Sequence, residues 1–277
     1  MSAPMEPLAL PAPLRATDPL RDELAPLLSA AARPAGTPAA ATRARLLHRI
    51  HRAADAARLL ETHRLAGQAM HPVSPGVHVR VLHAAAPGAP RPGEPRRAWT
   101  VELAAGARWS PPPGGDGCQE WLVLRGQAVV DGETLFERSH RLAGPDAPGS
   151  LHSPTGALLM FRESADPAGT ALAGVQHDQA AAWQPFAPGI WRRLLYRDGG
   201  AASMLYHALP GAQVPGHLHD HDEECLMLAG ELFADDVLLR RGDYQLAPAG
   251  TRHGGVMTDT GALIYAHGDA DLHLLMG

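Results

Sequence analysis

The chain has 277 residues, 45% of them hydrophobic and 19% charged, which indicates a globular protein with a substantial core. A formal net charge of -5 gives no global basic footprint and argues against direct nucleic-acid binding. The two cysteines, Cys118 and Cys225, lack CxxC neighbours, which fits a reducing compartment. No signal-peptide pattern and no apolar run of about 18 residues is present, so we expect a cytoplasmic protein without a membrane span.

Residues 1–70 are predicted to form a small N-terminal helical segment. Asp18 followed by Pro19 can open a helix, and leucines then recur at helical spacing. A second helix is predicted from about Thr42 to Leu65, with one apolar face and one arginine-rich face. We interpret the arginines as the solvated surface of a docked helix; the alternative is a docking helix for an acidic partner protein.

From about residue 71 onward, short runs of β-branched and aromatic residues alternate with glycine and proline turns, which predicts an all-β fold. The stretch "TGALLMF" at Thr155 reappears as "TGALIYA" at Thr260, and other stretches repeat at a similar offset. A repeat of this size indicates one barrel-sized unit used twice. We therefore divide the β region into a first barrel, residues 71–175, and a second barrel, residues 176–277.

The second copy contains the stretch "GHLHDHDEE", in which chemistry-bearing residues are concentrated. His217 and His219 are two apart, so on a strand both side chains lie on one face. Glu223 shares their parity and is therefore preferred to Glu224 as a ligand. His253 follows a proline-glycine turn that brings it to a strand end. Such nitrogen and oxygen ligands suit zinc, iron, manganese, copper or nickel rather than magnesium or calcium.

Neighbouring residues leave alternatives open. His221 is an alternative ligand, although we interpret it as part of the turn between the ligands, with Asp220 and Asp222. Cys225 and Met227 share the inward parity, so they either belong to the barrel core or line a cavity beside the metal. No nearby acid–base pair stands out beyond the ligands themselves, so the catalytic residues are left unassigned.

The first copy lacks these ligands. Pro112 and Gly114 stand where the second copy has its first two histidines, and Gln119 replaces the glutamate. Aligning "GSLH" with "GTRH" leaves only His152 as a counterpart of a ligand. We therefore predict that the first barrel binds no metal tightly and acts as a structural half, a dimerisation half or a vacant pocket.

This pattern resembles the two motifs of the cupin superfamily. The positions that match are Gly211, His217-x-His219, Glu223 and Gly230 in the first motif, and Gly242, Pro248-x-Gly250 and His253 in the second. Met257 departs from the second motif, which usually has asparagine there, but that asparagine is not a usual metal ligand. The resemblance implies a tandem double cupin, with two β-barrels or jelly rolls after the helical segment.

More narrowly, the stretch from "PGHLHDHDEE" to "PAGTRHG" is similar to the cupin domain of ChrR-type anti-sigma factors. That resemblance implies one zinc ion per chain, held by His217, His219, Glu223 and His253, with iron, manganese or nickel as alternatives. Anti-sigma domains of this family typically bind a further zinc through a histidine and a CxxC pair. Residues 1–70 contain no cysteine, so that zinc-type domain is absent, while a zinc-free helical variant remains open.

Three functions follow as hypotheses. The first is a regulatory sensor of the anti-sigma-factor type that acts through a protein partner, although the sequence does not identify a sigma factor. The alternative is an iron-dependent dioxygenase acting on a small diketone or hydroxyketone. The third is a binding module without turnover. In each case we expect a small-molecule ligand in the second barrel and a homodimer.

Overall fold

The computed structural model describes residues 42–43, 47, 60–65, 68–85, 95–112, 117–144, 150–164, 174–178, 183–198 and 200–274. Residues 51–277 form one compact unit, and residues 1–50 form another. In the N-terminal unit, Thr42, Arg43 and Leu47 are described, and all three are helical. No helix in the described part of the chain is long and apolar enough to cross a membrane.

The described residues form two groups of antiparallel strands. In chain order the strands are β1 (Glu61–His63), β2 (His71–Ser74), β3 (Val77–Ala84), β4 (Pro95–Leu103), β5 (Arg108–Trp109), β6 (Gln119–Val130), β7 (Glu133–Phe136), β8 (His140–Ala143), β9 (Leu151–His152), β10 (Ala157–Ser164), β11 (Gly174–Gln176), β12 (Gln184–Ala187), β13 (Ile190–Asp198), β14 (Ala201–Ala208), β15 (Gln213–Leu218), β16 (Glu223–Ala234), β17 (Val237–Arg240), β18 (Tyr244–Ala247), β19 (Arg252–Met257), β20 (Ala262–Asp269) and β21 (His273–Leu274).

Each group forms a barrel-like sheet system, and the two have the same topology. The first runs β2-β3-β4-β10-β6-β8-β11, with β5, β7 and β9 completing it. The second runs β12-β13-β14-β20-β16-β18-β1, completed by β15, β17, β19 and β21. Strands β1 to β10 therefore recur as β11 to β20. The predicted all-β tandem barrels are confirmed, whereas the limits proposed for the three domains stay predictions.

The first strand of each copy pairs with the opposite barrel. Strand β1 precedes the first barrel but pairs with β18 of the second, whereas β11 precedes the second barrel but pairs with β8 of the first. The helix predicted to end at Leu65 is therefore wrong over Glu61–His63. Pairing with the β18 backbone satisfies the hydrogen bonds of this segment and overrides the two-faced helical pattern predicted from Thr42 onward. Leu60, Arg64 and Leu65 are also described and are not α-helical, whereas Thr42, Arg43 and Leu47 are. The other predicted helical positions in residues 1–70 lie outside the described residues.

The two barrels pack against each other through one face of each sheet. Strand alternation directs Trp121 into the core of the first barrel and Leu122 into a shared cluster that includes Leu226 of the second barrel. The buried members of that shared cluster are Leu82, Ala98, Leu122, Met160, Leu195, Leu205, Leu226, Tyr244, Leu246 and Tyr265. Apolar burial between the sheets therefore joins the copies into one unit.

A buried ionic network crosses this interface. Arg162 Nη1 donates to Glu120 Oε1 at 3.0 Å, and Arg162 Nε donates to Glu224. Each glutamate has a second partner, His140 Nε2 at 2.9 Å from Glu120 and Tyr244 Oη at 2.7 Å from Glu224. Burial disfavours ionisation of Glu120, but the His140 hydrogen bond and the Arg162 charge outweigh it and lower its pKa below the usual range. One arginine thus bridges equivalent glutamates of the two copies.

Replacing Arg162 tests how strongly this network joins the barrels. The Arg162→Met variant leaves two buried carboxylates without their shared cation, so we expect a loss of about 3–5 kcal/mol in unfolding free energy. The matched control is Arg125→Met, because the Arg125 side chain is 64% exposed and lies 3.4 Å from Glu102. That exposed pair should contribute less than about 1 kcal/mol. Equal losses in urea-induced unfolding of the two variants would contradict the proposed role of Arg162.

Candidate metal centre

The structure brings the four predicted ligands together at one end of the second barrel. His217 lies at the end of β15, His219 follows that strand directly, Glu223 begins β16 and His253 lies in β19. One potential ligand atom from each residue lies within 4.8 Å of the others. Their proximity is a finding, whereas their binding of a metal stays a prediction.

The three histidines present their Nε2 atoms to the Glu223 carboxylate. The Nε2 atoms of His217 and His219 lie 3.9 and 3.8 Å from Glu223 Oε2. His253 Nε2 lies 3.6 Å from Glu223 Oε1. These separations exceed hydrogen-bond lengths, so the atoms surround a common point instead of closing on one another.

Hydrogen bonds on the far side of two rings fix their tautomers. His217 Nδ1 lies 3.1 Å from the Pro215 carbonyl oxygen, which can only accept, so this nitrogen carries the proton. The Thr251 hydroxyl donates to the Pro248 carbonyl at 2.6 Å and can therefore accept from His219 Nδ1 at 3.0 Å. Both Nε2 atoms consequently present a lone pair, the form in which histidine binds a metal.

His219 provides the test of whether these residues fit a metal ion. Its side chain is fully buried, and its Nε2 atom has no hydrogen-bond partner within the described part of the chain. A buried polar atom in this state costs about 1–3 kcal/mol. A divalent cation coordinated by the three nitrogens and the carboxylate would satisfy it, so the residues present fit a metal ion.

The electrostatics of the cluster favour a cation. Burial opposes ionisation of Glu223, but the contact with His253 and the charges of the nearby imidazoles lower its pKa to about 2. Burial also opposes protonation of His253, but contacts with Asp235 and Glu223 raise its pKa to about 9. A metal ion therefore has to displace a proton from His253, and binding should weaken as the pH falls below that value.

Two glycines allow the strands to approach at this centre. A Cβ atom on Gly216 would lie 3.1 Å from the His253 carbonyl oxygen, so β15 can approach β19 closely only without a side chain there. A Cβ atom on Gly268 would lie 3.1 Å from Glu223 Cγ. Gly268 thus leaves the space that the Glu223 side chain occupies.

The remaining polar residues of "GHLHDHDEE" point away from the centre. His221 Nδ1 lies 2.5 Å from Asp269 Oδ1, and Asp222 Oδ1 accepts from the Ala249 amide at 2.6 Å. Glu224 binds Arg162 at the barrel interface. Glu223 therefore lies in the ligand cluster, whereas Glu224 and His221 lie outside it.

An apolar cavity of about 90 Å³ opens onto the ligand cluster. His217, Glu223 and His253 line it, and Glu223 is the most exposed of the three, with 18% of its side chain accessible against 4% for each histidine. Cys225 also lines the cavity, whereas Met227 lies in the buried core of the barrel. A molecule in the cavity would therefore reach the centre beside Glu223.

Aromatic side chains fill the corresponding space in the first barrel. Trp121 and Phe161 lie opposite each other on β6 and β10, with ring centroids 4.6 Å apart. At the equivalent position, Cys225 pairs with Ala266 on β16 and β20. Trp109 packs edge-on against Trp121 at 5.5 Å. The first barrel is thus a packed core at the place where the second has its cavity.

Strand register corrects the alignment of His152. In the first barrel Arg108 pairs with His152, and at the equivalent place in the second barrel Gln213 pairs with Met257. His152 therefore corresponds to Met257, not to His253. The "GSLH" and "GTRH" stretches look alike, but loops of different length precede them, and backbone pairing determines the register. Within the described residues, the second-barrel cluster is the one group of potential metal ligands.

Removing one ligand tests the centre directly. The purified chain should contain about one transition metal ion, and His217→Ala should lose most of it because the three remaining ligands bind far more weakly. His152→Ala is the matched control in the first barrel and should keep the metal content of the wild type. Elemental analysis measures both, and about two metal ions per chain would contradict an empty first barrel.

Gly268→Ala tests whether space beside Glu223 matters. The added methyl group must displace the Glu223 side chain, so we expect metal affinity to fall about tenfold or more, as for other changes to groups that support a ligand. Gly255→Ala is the control, because a Cβ atom there meets only Val214 O, at an ordinary 3.8 Å. Competition with a chromogenic chelator gives both affinities. Equal affinities would show that the glutamate does not need this space.

Comparison with known proteins gives a family match in the half of the chain that contains the ligand cluster. A family described as the ChrR Cupin-like domain matches residues 173–270. A search of the curated proteins finds no match. Three solved structures resemble the chain at 12–15% sequence identity, which shows the fold alone.

The first, from Nostoc punctiforme PCC 73102 and provisionally named a dioxygenase, has a TM-score of 0.60 at 15% identity over 80% of this chain and 88% of its own. The second, provisionally named a glyoxylate-induced protein, from Pseudomonas aeruginosa, has a TM-score of 0.61 at 13% identity over 79% and 92%. The third, a point mutant of the oxalate decarboxylase of Bacillus subtilis, has a TM-score of 0.57 at 12% identity over 76% and 78%. The chain therefore has a cupin-like β-barrel fold, and its residues 173–270 are similar to the ChrR Cupin-like domain.

Proposed function

We propose that this chain is a metal-dependent small-molecule sensor of the ChrR type. One divalent transition metal, for which zinc is our first candidate, is held by His217, His219, Glu223 and His253. A small molecule enters the adjoining cavity, binds the metal and alters the interaction of the chain with a protein partner. The observation that carries this proposal is the convergence of three imidazole nitrogens and one carboxylate beside an apolar cavity.

The donor set suits a metal that keeps an open position. Three nitrogens and one carboxylate would leave one open position on a five-coordinate zinc or iron ion and two on a six-coordinate ion. A bound metal supplies a Lewis-acid position for an anionic or chelating group. The residues of the chain position that group, because the cavity meets the cluster on the Glu223 side, where the side chain remains partly exposed.

The lining of the cavity favours binding over turnover. Apart from the ligands, the polar residues that line it are Tyr206, Cys225, Gln245 and Thr258. Burial and the Glu223 charge raise the pKa of Tyr206, so its hydroxyl stays protonated and can donate a hydrogen bond but not act as a base. Among the described lining residues, no second carboxylate stands beside the cluster to form an acid–base pair.

The regulatory part of the proposal rests on the family match. The ChrR Cupin-like domain matches residues 173–270, the copy that contains the ligand cluster. A protein partner and a homodimer both belong to this proposal. The segment that we expect to bind the partner, residues 1–70, lies largely outside the described residues.

The second candidate is an iron-dependent dioxygenase that acts on a small diketone or hydroxyketone. The observation that favours it is the direct access from the cavity to the cluster beside Glu223, which would admit both a chelating molecule and O₂. The Nostoc structure with a provisional dioxygenase name shares the fold.

Metal identity and oxygen consumption separate the two candidates. We expect the protein purified from its own host to contain zinc, and its iron-loaded form to consume no O₂ with acetylacetone beyond the His217→Ala control. We also expect a specific protein partner whose binding changes when a chelator removes the metal. Iron in the native protein, together with acetylacetone-dependent O₂ consumption that His217→Ala abolishes, would establish the enzyme instead.

A further inference from the structure

The chemistry of the cavity walls limits what the metal centre can accept. Beyond the metal ligands, aliphatic side chains make most of the lining, and no arginine or lysine belongs to it among the described residues. The aliphatic members are Ile190, Ala208, Ala212, Val214, Leu232, Ala234, Leu239, Val256, Ile264, Ala266 and Leu272. A second charged group in the ligand would lose its hydration here. The Arg192 guanidinium stands behind the lining, 5.1 Å from the centroid of the Phe186 ring, and already donates to the Ala270 carbonyl oxygen at 2.8 Å.

Three of the four polar side chains in the lining beyond the metal ligands already have partners. Gln245 Nε2 donates to Thr62 Oγ1 at 3.0 Å, and Thr258 Oγ1 donates to the Glu231 carbonyl at 2.6 Å. The Tyr206 hydroxyl contacts Met204 Sδ at 3.3 Å. Since these groups are satisfied within the protein, they place no demand for a polar group on a molecule in the cavity.

Comparison of the two barrels shows how the space arises. Cys225 and Ala266 occupy the positions that Trp121 and Phe161 fill in the first barrel. Cys225 lies two residues after Glu223 on β16, so both side chains point to the same face about 7 Å apart along the strand. The open volume therefore adjoins Glu223 and extends over the small side chains of Cys225 and Ala266, which leaves room for an apolar group.

We propose that the cavity binds a molecule with one metal-chelating head group and one apolar tail, and that it rejects small dianions such as oxalate. The head group occupies the open position of the metal beside Glu223, and the tail lies over Cys225 and Ala266. This inference rests on the proposed metal centre and defines the class of molecule that the centre would sense or convert.

Alkyl hydroxamates of increasing length test this proposal, because their head group chelates and only the tail changes. We expect the affinity of the zinc-loaded full chain, measured by calorimetry, to rise about fourfold for each added methylene from acetohydroxamate to hexanohydroxamate. Oxalate should bind no more tightly than acetohydroxamate. Metal content is measured in the same samples before and after titration.

A variant that refills the cavity should remove the tail effect alone. Ala266→Phe places in the second barrel the ring that Phe161 provides in the first, so the gain with chain length should disappear. Acetohydroxamate affinity and metal content should stay within about twofold, because Ala266 is not one of the four metal ligands. Loss of a group that supports a ligand would instead lower metal affinity about tenfold or more. Leu194→Phe, at a position that is 48% exposed, is the control and should keep the chain-length dependence. Cys225→Phe provides the same test if Ala266→Phe does not fold.

The outcomes separate this inference from the metal centre on which it rests. A metal-loaded chain whose affinity does not change with tail length, or which prefers oxalate to hexanohydroxamate, overturns the proposed ligand class and leaves the centre standing. A chain that binds neither metal nor hydroxamate overturns both. Loss of the chain-length dependence in Ala266→Phe, with retention in Leu194→Phe, supports the tail site.

Discussion

The contact of Arg162 with Glu224 links the two barrels and holds the strand that contributes Glu223 to the ligand cluster. Glu224 and Glu223 are neighbours on β16, and strand alternation directs one to the barrel interface and the other into the barrel. A shift of this strand by one residue would exchange their roles and place a carboxylate in the wrong environment. The interface therefore holds the register that presents Glu223 to the three histidines.

The two copies show that the same strand order can enclose either a filled or an open interior. Both have the same strand order, but the first is filled by tryptophan and phenylalanine, while the second has small side chains and a ligand cluster. Filling the first interior buries apolar surface and contributes stability. The second barrel, whose interior is open, packs against it through the shared cluster and exchanges a leading strand with it. The packed interior and the open interior with its ligand cluster are thus divided between the copies.

The electrostatic arrangement of the second barrel favours a bound cation in an apolar setting. Backbone and hydroxyl partners hold His217 and His219 in the tautomer that presents Nε2, and Asp235 lies 3.5 Å from His253 Nδ1. The cavity beside them supplies apolar contact but little hydrogen bonding. In the proposed function, affinity for a small molecule would come from one coordination bond and from burial of its apolar tail.

The sequence alone determined the all-β repeat and the residues of the cluster, because two-residue periodicity and ligand spacing are local properties of strands and turns. It could also choose Glu223 over Glu224 by parity. It misassigned Glu61–His63 as helix and His152 as the counterpart of His253, since strand pairing across the chain decided both. The exchange of β1 and β11, the Arg162 network and the cavity over Cys225 and Ala266 depend on contacts between residues far apart in sequence. Only the tertiary structure could decide them, because packing and register are set by partners that no local pattern specifies.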